Sequence, residues 1–265
     1  MEMDNFKRDD YLNDLKPSWC KGCSFYGVLS ALTRALASQS TDPSKVNIIS
    51  GIGCSSRMSL YMSTRAMHTL HGRAIPVAIG ARLANPENPV IVIGGDGDLF
   101  SIGAGHFLHA ARINADITVI CLNNRMYAMT KNQSSPTSAK GHTGSLTPFG
   151  KESIPLNLPD LAMAGNASFI SRTFAGSSVH MQEMFSEAFS HQGFSFVEVI
   201  TPCLTFDKKE SLSRLSKRIV DINRDLHHDP CNREEAIKLA ESAMDYDSDP
   251  SAKVGVGVFW SCSTQ

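Results

Sequence analysis

No run of about 18 apolar residues, the length a bilayer-crossing helix needs, occurs anywhere in the sequence, which argues against a membrane-spanning helix. Nor is one sign of charge in excess. Lys and Arg total 25 against 26 Asp and Glu, a net charge of -1, which speaks against the basic patch that nucleic-acid binding requires. An even set of cysteines is missing too: there are seven, and the opening stretch "MEMDNFKRDD" has no hydrophobic signal core. The expectation is a cytoplasmic protein whose thiols are buried or bind metal rather than form a disulfide framework. No internal repeat, low-complexity tract or second CxxC occurs. What remains is an ordinary globular balance, 42% hydrophobic and 19% charged over 265 residues, enough for one large domain or two small ones.

Apolar runs alternate with helix-like segments. Strands are expected near 46–50, 90–94, 117–122, 169–174 and 196–200, with helices near 27–37, 73–85, 102–113, 158–164 and 179–192. Short strands separated by helices predict an α/β fold, a doubly wound parallel sheet with helices on both faces. A continuous run such as "VIVI" suits a strand buried on both sides. After Asp207 the composition turns polar and helix-friendly. The expected division is therefore 1–206 as the α/β domain and 207–265 as a helical tail available for subunit contact, with "VGVGVFW" free to pack on the sheet or on another subunit.

Four polar loops leave the C-terminal ends of these strands: "GIGCSSR", "GGDGD", "NNRMY" and "TPC". In open parallel sheets ligands bind at that edge, so the loops point to one composite site. Asp96 ends an apolar strand among glycines, and 25 residues lie between Gly97 and Asn123, where Asn123-Asn124 end another. A carboxylate and an amide oxygen on neighbouring strand ends are hard ligands for Mg2+, an ion usually completed by phosphates. The glycines allow close backbone approach to a phosphate. Gly, Asp and Asn are also common turn residues; the two motifs together, each after a strand, are the more specific signal.

Gly-Asp-Gly followed about two dozen residues later by Asn-Asn resembles the diphosphate-binding signature of thiamine-diphosphate enzymes. That resemblance implies Mg2+ held by Asp96, Asn124 and the main-chain carbonyl of Met126. Gly53, Gly95, Gly97, Asp98 and Tyr127 are the expected cofactor neighbours beside them.

The cysteines allow several readings. Cys20 and Cys23 in "WCKGC" have metal-ligand spacing, which fits a zinc half-site, a redox pair or chance. Cys54 and Cys203 lie on loops at the same sheet edge, and four thiolates suit a [4Fe-4S] cluster. Cys121 reads as a small buried hydrophobe, and Cys231 and Cys262 receive no role. In order, "WCKGC", "GIGCSSR", "HTLHGRA", "GGDGD" with its Asn-Asn, "YAMTKNQSSPT" and "TPC" resemble the β subunits of 2-oxoacid:ferredoxin oxidoreductases over about residues 17–206. The usual first motif there is C-P-G-C-G; Lys21 and Ser24 replace its proline and last glycine.

The resemblance implies a cluster on Cys20, Cys23, Cys54 and Cys203. It also implies a separate α subunit, since no second α/β domain is present to hold the aminopyrimidine. The implied reaction is oxidative decarboxylation of a 2-oxoacid with coenzyme A, its electrons passing to ferredoxin, and the family also runs in reverse. His71 and Arg73 are expected beside the diphosphate or substrate, with a solvated helix N-terminus as the alternative. Lys131 is expected to attract a second carboxylate, favouring 2-oxoglutarate over pyruvate. Arg57 is read as a cluster neighbour or a helix cap, and His106 and His109 as structural. The competing readings are a non-redox thiamine-dependent decarboxylase subunit with structural or zinc-bound cysteines, and a scaffold without turnover.

Overall fold

The apolar run from Val90 runs through the middle of an eight-stranded sheet because its alternate residues are claimed by two different cores. Val90 and Val92 join one cluster with Val119 and Phe196, and Ile91 and Ile93 join the other with Ile120 and Val199. This burial on both faces is why the strand shows no polar alternation. The computed structural model describes residues 6–207, 210–242 and 251–261.

The strands are β1 (Asn47–Ser50), β2 (Arg65–His68), β3 (Val90–Gly95), β4 (Thr118–Asn123), β5 (Phe169–Phe174), β6 (Ser195–Ile200), β7 (Ile219–Asp221) and β8 (Val254–Ser261). The helices are α1 (Phe25–Ser38), α2 (Ala74–Ala84), α3 (Asp96–Phe100), α4 (Ala104–Arg112), α5 (Leu158–Ala164), α6 (Ser178–Ser190), α7 (Leu212–Ser216) and α8 (Arg233–Ser242). The sheet order is β2-β1-β3-β4-β6-β5-β8-β7. The first six strands along it are parallel; β8 runs antiparallel to β5, and β7 parallel to β8. Helices α1 and α6 pack on one face, and α2, α4, α5 and α8 bury small and aromatic residues on the other. The chain moves outward from β1 to β2 and then crosses to β3, so the strand order reverses between β1 and β3. Such a reversal opens a crevice at the carboxyl ends of those strands.

The doubly wound parallel sheet is as expected, and the expected elements fall within two residues of those observed. Three features differ. The strand β2 has no signature in the sequence because its residues, "RAMH", are all exposed at the sheet edge and carry no apolar alternation. The acidic glycine turn is the start of a helix, α3, too short to show a period. The division after residue 206 does not separate two cores. Besides two helices, the later segment supplies β7 and β8, and Ile222, Ala236, Ala240, Phe259 and Trp260 lie in the same cluster as β3 and β4. Cys262 lies outside the described residues.

Candidate functional site

Three loops meet at the crevice between β1 and β3, and Asp98 ties them together. Its Oδ1 accepts from the backbone amides of Ile52 (3.2 Å) and Gly72 (2.8 Å), and His71 Nδ1 lies 3.2 Å from the same oxygen. A Cβ on Gly51 would fall 1.8 Å from Asp98 Oδ2, so only glycine lets the carboxylate come this close. Burial raises the Asp98 carboxyl above its ordinary range, against the two amides and the neighbouring His71. These contacts make Asp98 a fastener of the β1 and β2 loops, whereas the sequence suggests only a cofactor neighbour. His71 in turn packs its ring 6.0 Å from that of Tyr127, on the loop after β4. Tyr127 donates its hydroxyl to the Gly97 carbonyl at 3.0 Å, and a Cβ on Gly97 would sit 2.3 Å from the Tyr127 ring. The loops after β1, β2, β3 and β4 are thereby locked at one edge.

Asp96, first residue of α3, is 1% exposed. Burial raises its carboxyl above the usual range, opposed by the hydroxyls of Ser135 and Thr137 and by backbone amides of its own turn. Thr137 Oγ1 lies 2.6 Å from Asp96 Oδ2 and 3.0 Å from Asn123 Oδ1, bridging the two halves of the Gly-Asp-Gly and Asn-Asn motif. Beyond Asn123 the chain turns sharply. Arg125 adopts a left-handed φ of 62°, its amide donating to Asn123 Oδ1 at 3.0 Å, and the Met126 amide donates to Asn124 Oδ1 at 3.2 Å. Asn124 is half-buried and Met126 buried beside it. A buried carboxylate stabilised by hydroxyls and amides, with an amide oxygen and a carbonyl on the adjoining turn, is a hard oxygen set that fits a magnesium ion.

The expected cysteines influence one another electrostatically. Gly22, at φ 80°, lets the Cys23 amide fold back to the Cys20 carbonyl at 3.0 Å, and the Trp19 indole donates to the Cys54 carbonyl at 2.7 Å. Burial raises the Cys23 thiol to about 11, against the Phe25 amide, and Cys203, Cys20 and Cys54 each add to the rise. Cys54 is raised in the same way by burial, then by Cys203 and Cys20, with Arg57 opposing. Cys23 is thus within electrostatic reach of Cys20, Cys54 and Cys203, and Cys54 within reach of Cys20 and Cys203. Ser55, next to Cys54 in the chain, lies close enough to Gly95 that a Cβ there would be 3.1 Å from the Ser55 hydroxyl, so the loop after β1 borders the Asp96 turn. Among the described residues no three His, Cys, Asp or Glu side chains form a single-ion site. A [4Fe-4S] cluster gives each of its irons one thiolate and so calls for four thiols spread around it, which is the donor type these four residues offer.

Two other expected residues, Arg73 and Lys131, are exposed. Arg73 Nη1 donates to His106 Nε2 at 2.8 Å, which gives His106 a part in holding it. Lys131 is exposed at the tip of a loop closed by Tyr127 and Gln133, with left-handed φ values of 71° and 74° at Lys131 and Asn132. Thr137 and Ser135 escape sequence reasoning because they look like ordinary loop residues in "QSSPTS"; only the fold shows that they reach Asp96.

A family model for the C-terminal TPP-binding domain of thiamine pyrophosphate enzymes matches residues 51–199, a span that begins just after β1 and contains β2 to β5, all but the last residue of β6, and the Asp96 and Asn124 turns. The 2-oxoacid:ferredoxin oxidoreductase 1 subunit beta of Aeropyrum pernix is 34% identical over 252 residues, 94% of this chain and 79% of that protein. The chain belongs to the 2-oxoacid:ferredoxin oxidoreductase β-subunit family. Within that family, the 2-oxoglutarate synthase subunit KorB of Archaeoglobus fulgidus is 40% identical over 201 residues, 75% of each protein. A solved structure, 2-oxoglutarate:ferredoxin oxidoreductase from Magnetococcus marinus with 2-oxoglutarate, coenzyme A and succinyl-CoA bound, aligns with a TM-score of 0.92 at 37% identity, over 100% of this chain and 88% of that one. As a β subunit of this family the chain is part of a thiamine-diphosphate-dependent enzyme and has a partner subunit. No described helix is long and apolar enough to cross a membrane.

Proposed function

We propose that this chain is the thiamine-diphosphate and iron-sulfur subunit of an enzyme that oxidatively decarboxylates 2-oxoglutarate with coenzyme A and passes the electrons to ferredoxin. What supports the reading is the buried Asp96 turn bridged to Asn123, together with the electrostatic influence of Cys20, Cys54 and Cys203 on Cys23. Magnesium is held by Asp96, the side-chain oxygen of Asn124 and the carbonyl of Met126, with the diphosphate supplying further oxygens. The missing side chains at Gly97 and Gly95 admit the Tyr127 ring and the Ser55 hydroxyl, which close the walls around the Asp96 turn. His71, oriented by Asp98, and Arg73, held by His106, line the entrance; the guanidinium fork suits a phosphate or carboxylate. Lys131 contributes a cation for the second carboxylate of 2-oxoglutarate. When bound, thiamine diphosphate supplies the electron sink for loss of CO2, and the cluster supplies a one-electron acceptor close to it. Burial raises the Cys23 and Cys54 thiols above their ordinary range, so cluster assembly must remove their protons against that shift.

The reading is tested by anaerobic copurification with the partner subunit, iron and sulfide analysis, and EPR after addition of 2-oxoglutarate and coenzyme A. About four irons per chain and a substrate-reduced signal are expected. Zinc or no metal, with thiamine diphosphate still bound, would replace it with the non-redox decarboxylase.

A further inference from the structure

Glu198 occupies the middle of β6, between Val197 and Val199, and is 3% exposed. A carboxylate in the interior of a parallel sheet is costly unless each oxygen is engaged. Both are. Oε2 accepts from Arg172 Nε of β5 at 2.8 Å, and Oε1 accepts from Asn123 Nδ2, at the end of β4, at 2.7 Å. The ion pair alone would use one oxygen; the second reaches toward the candidate site.

The Asn123 amide is held from both ends. Its NH2 faces an acceptor-only carboxylate, and its Oδ1 accepts from the Arg125 amide at 3.0 Å, with Thr137 Oγ1 equally close and its single proton shared between Asn123 Oδ1 and Asp96 Oδ2. Turning the amide over would set NH2 against N–H on one side and carbonyl against carboxylate on the other. Asn123 Oδ1 therefore fixes the left-handed turn at Arg125 from which Asn124 and Met126 are presented. It also places the Thr137 hydroxyl, 2.6 Å from Asp96 Oδ2. Arg172, Glu198, Asn123, Thr137 and Asp96 are each no more than 5% exposed, so water does not substitute for any link.

We infer that Glu198 is a positioning residue for the magnesium-diphosphate site: through Asn123 it sets both the Asp96 carboxylate and the Asn124–Met126 turn. The inference rests on the cofactor reading proposed above. Groups behind metal ligands typically change metal affinity by about 10–100-fold when removed.

Glu198→Gln tests it. The glutamine must give its one carbonyl to Arg172, whose guanidinium only donates, leaving NH2 toward Asn123 and forcing that amide to turn. In the complex with the partner subunit, stripped of cofactor, thiamine diphosphate binding is titrated against Mg2+. The half-saturating Mg2+ concentration is expected to rise about tenfold or more in Glu198→Gln and in Thr137→Val, and to stay near wild type in Thr137→Ser, which keeps the hydroxyl. Asn123→Ala leaves the Arg172–Glu198 pair intact and reads the same link if the Glu198 variant does not fold; it too is expected to raise the Mg2+ requirement. An unchanged requirement in Asn123→Ala, or in a folded Glu198→Gln, overturns the positioning role while leaving the cofactor reading in place. A wild-type complex that binds no thiamine diphosphate at any Mg2+ concentration sinks both.

Discussion

Lys131 is held in a left-handed backbone conformation that a non-glycine residue adopts at some cost, so its loop is shaped before any substrate arrives. Exposed at the loop tip, the ammonium keeps its hydration until a partner displaces it. If it recognises a second substrate carboxylate, its removal must discriminate between substrates. In Lys131→Ala the Cβ is retained and the backbone strain is unchanged, so the change is the loss of the ammonium with its exposed methylene stem. The KM for 2-oxoglutarate is expected to rise about tenfold, as for a lost charge-assisted hydrogen bond, while the KM for pyruvate moves little. Steady-state kinetics of the complex on both substrates decides it; equal effects would remove Lys131 from substrate selection. At this scale the sequence shows the candidate residue types well, because Asp96, Asn124, Cys54 and Cys203 stand at or near strand ends that the apolar runs predict, and Cys20 and Cys23 share a CxxC spacing. It does not show Thr137, Glu198 or the fastening role of Asp98. Each depends on a partner at least 26 residues away or on a neighbouring strand, and neither serine-threonine loops nor single acids in apolar runs advertise such partners.

Between elements, the site depends on how closely the loops after β1 and β2 approach α3. Gly51 and Gly80 make the contrast measurable. A methyl on Gly51 would overlap Asp98 Oδ2 and push the carboxylate off the Ile52 and Gly72 amides. Gly51→Ala is therefore expected to destabilise the protein by about 1–3 kcal/mol, the range for overpacking a filled site, and to weaken thiamine diphosphate binding. Gly80 lies inside α2, and a methyl there would meet nothing within 4 Å, so Gly80→Ala should stabilise by about 0.5–1 kcal/mol through the unfolded chain and leave cofactor binding alone. Chemical denaturation of both variants checks the pair, and a neutral Gly51→Ala would mean that Asp98 can relax without loss. Neither glycine is distinguishable in the sequence. Gly51 precedes a loop and Gly80 interrupts a helix, but which one faces a carboxylate is settled by the crossover from β1 to β3.

For the whole molecule, the question is whether the residues after 206 are an appendage. Their polar composition suggests a tail, since local composition registers the exposed faces of α8 and the connecting turns. It does not register that a short apolar run, "VGVGVFW", finds its partner in β5, some eighty residues earlier, and turns the sheet antiparallel there. Val254, Val256, Val258 and Phe259 are each at most 4% exposed. At about 1.5–3 kcal/mol for each such side chain buried, their combined burial approaches the about 5–15 kcal/mol that separates a folded domain from its unfolded chain. Removing them would also uncover the hydrogen-bonding edge of β5, including Phe169 and Ile170, and an open apolar edge invites association. A chain ending at Phe206 keeps every candidate ligand, Cys203 included. It is nonetheless expected to aggregate or to lack a cooperative thermal transition, because the core that presses the strand ends together is incomplete. Circular dichroism with thermal melting, alongside the full chain, decides the matter. A soluble truncated chain with a sharp transition would restore the tail to the status of a separate arm, and the apolar face of β8 would then be explained by a partner rather than by this fold.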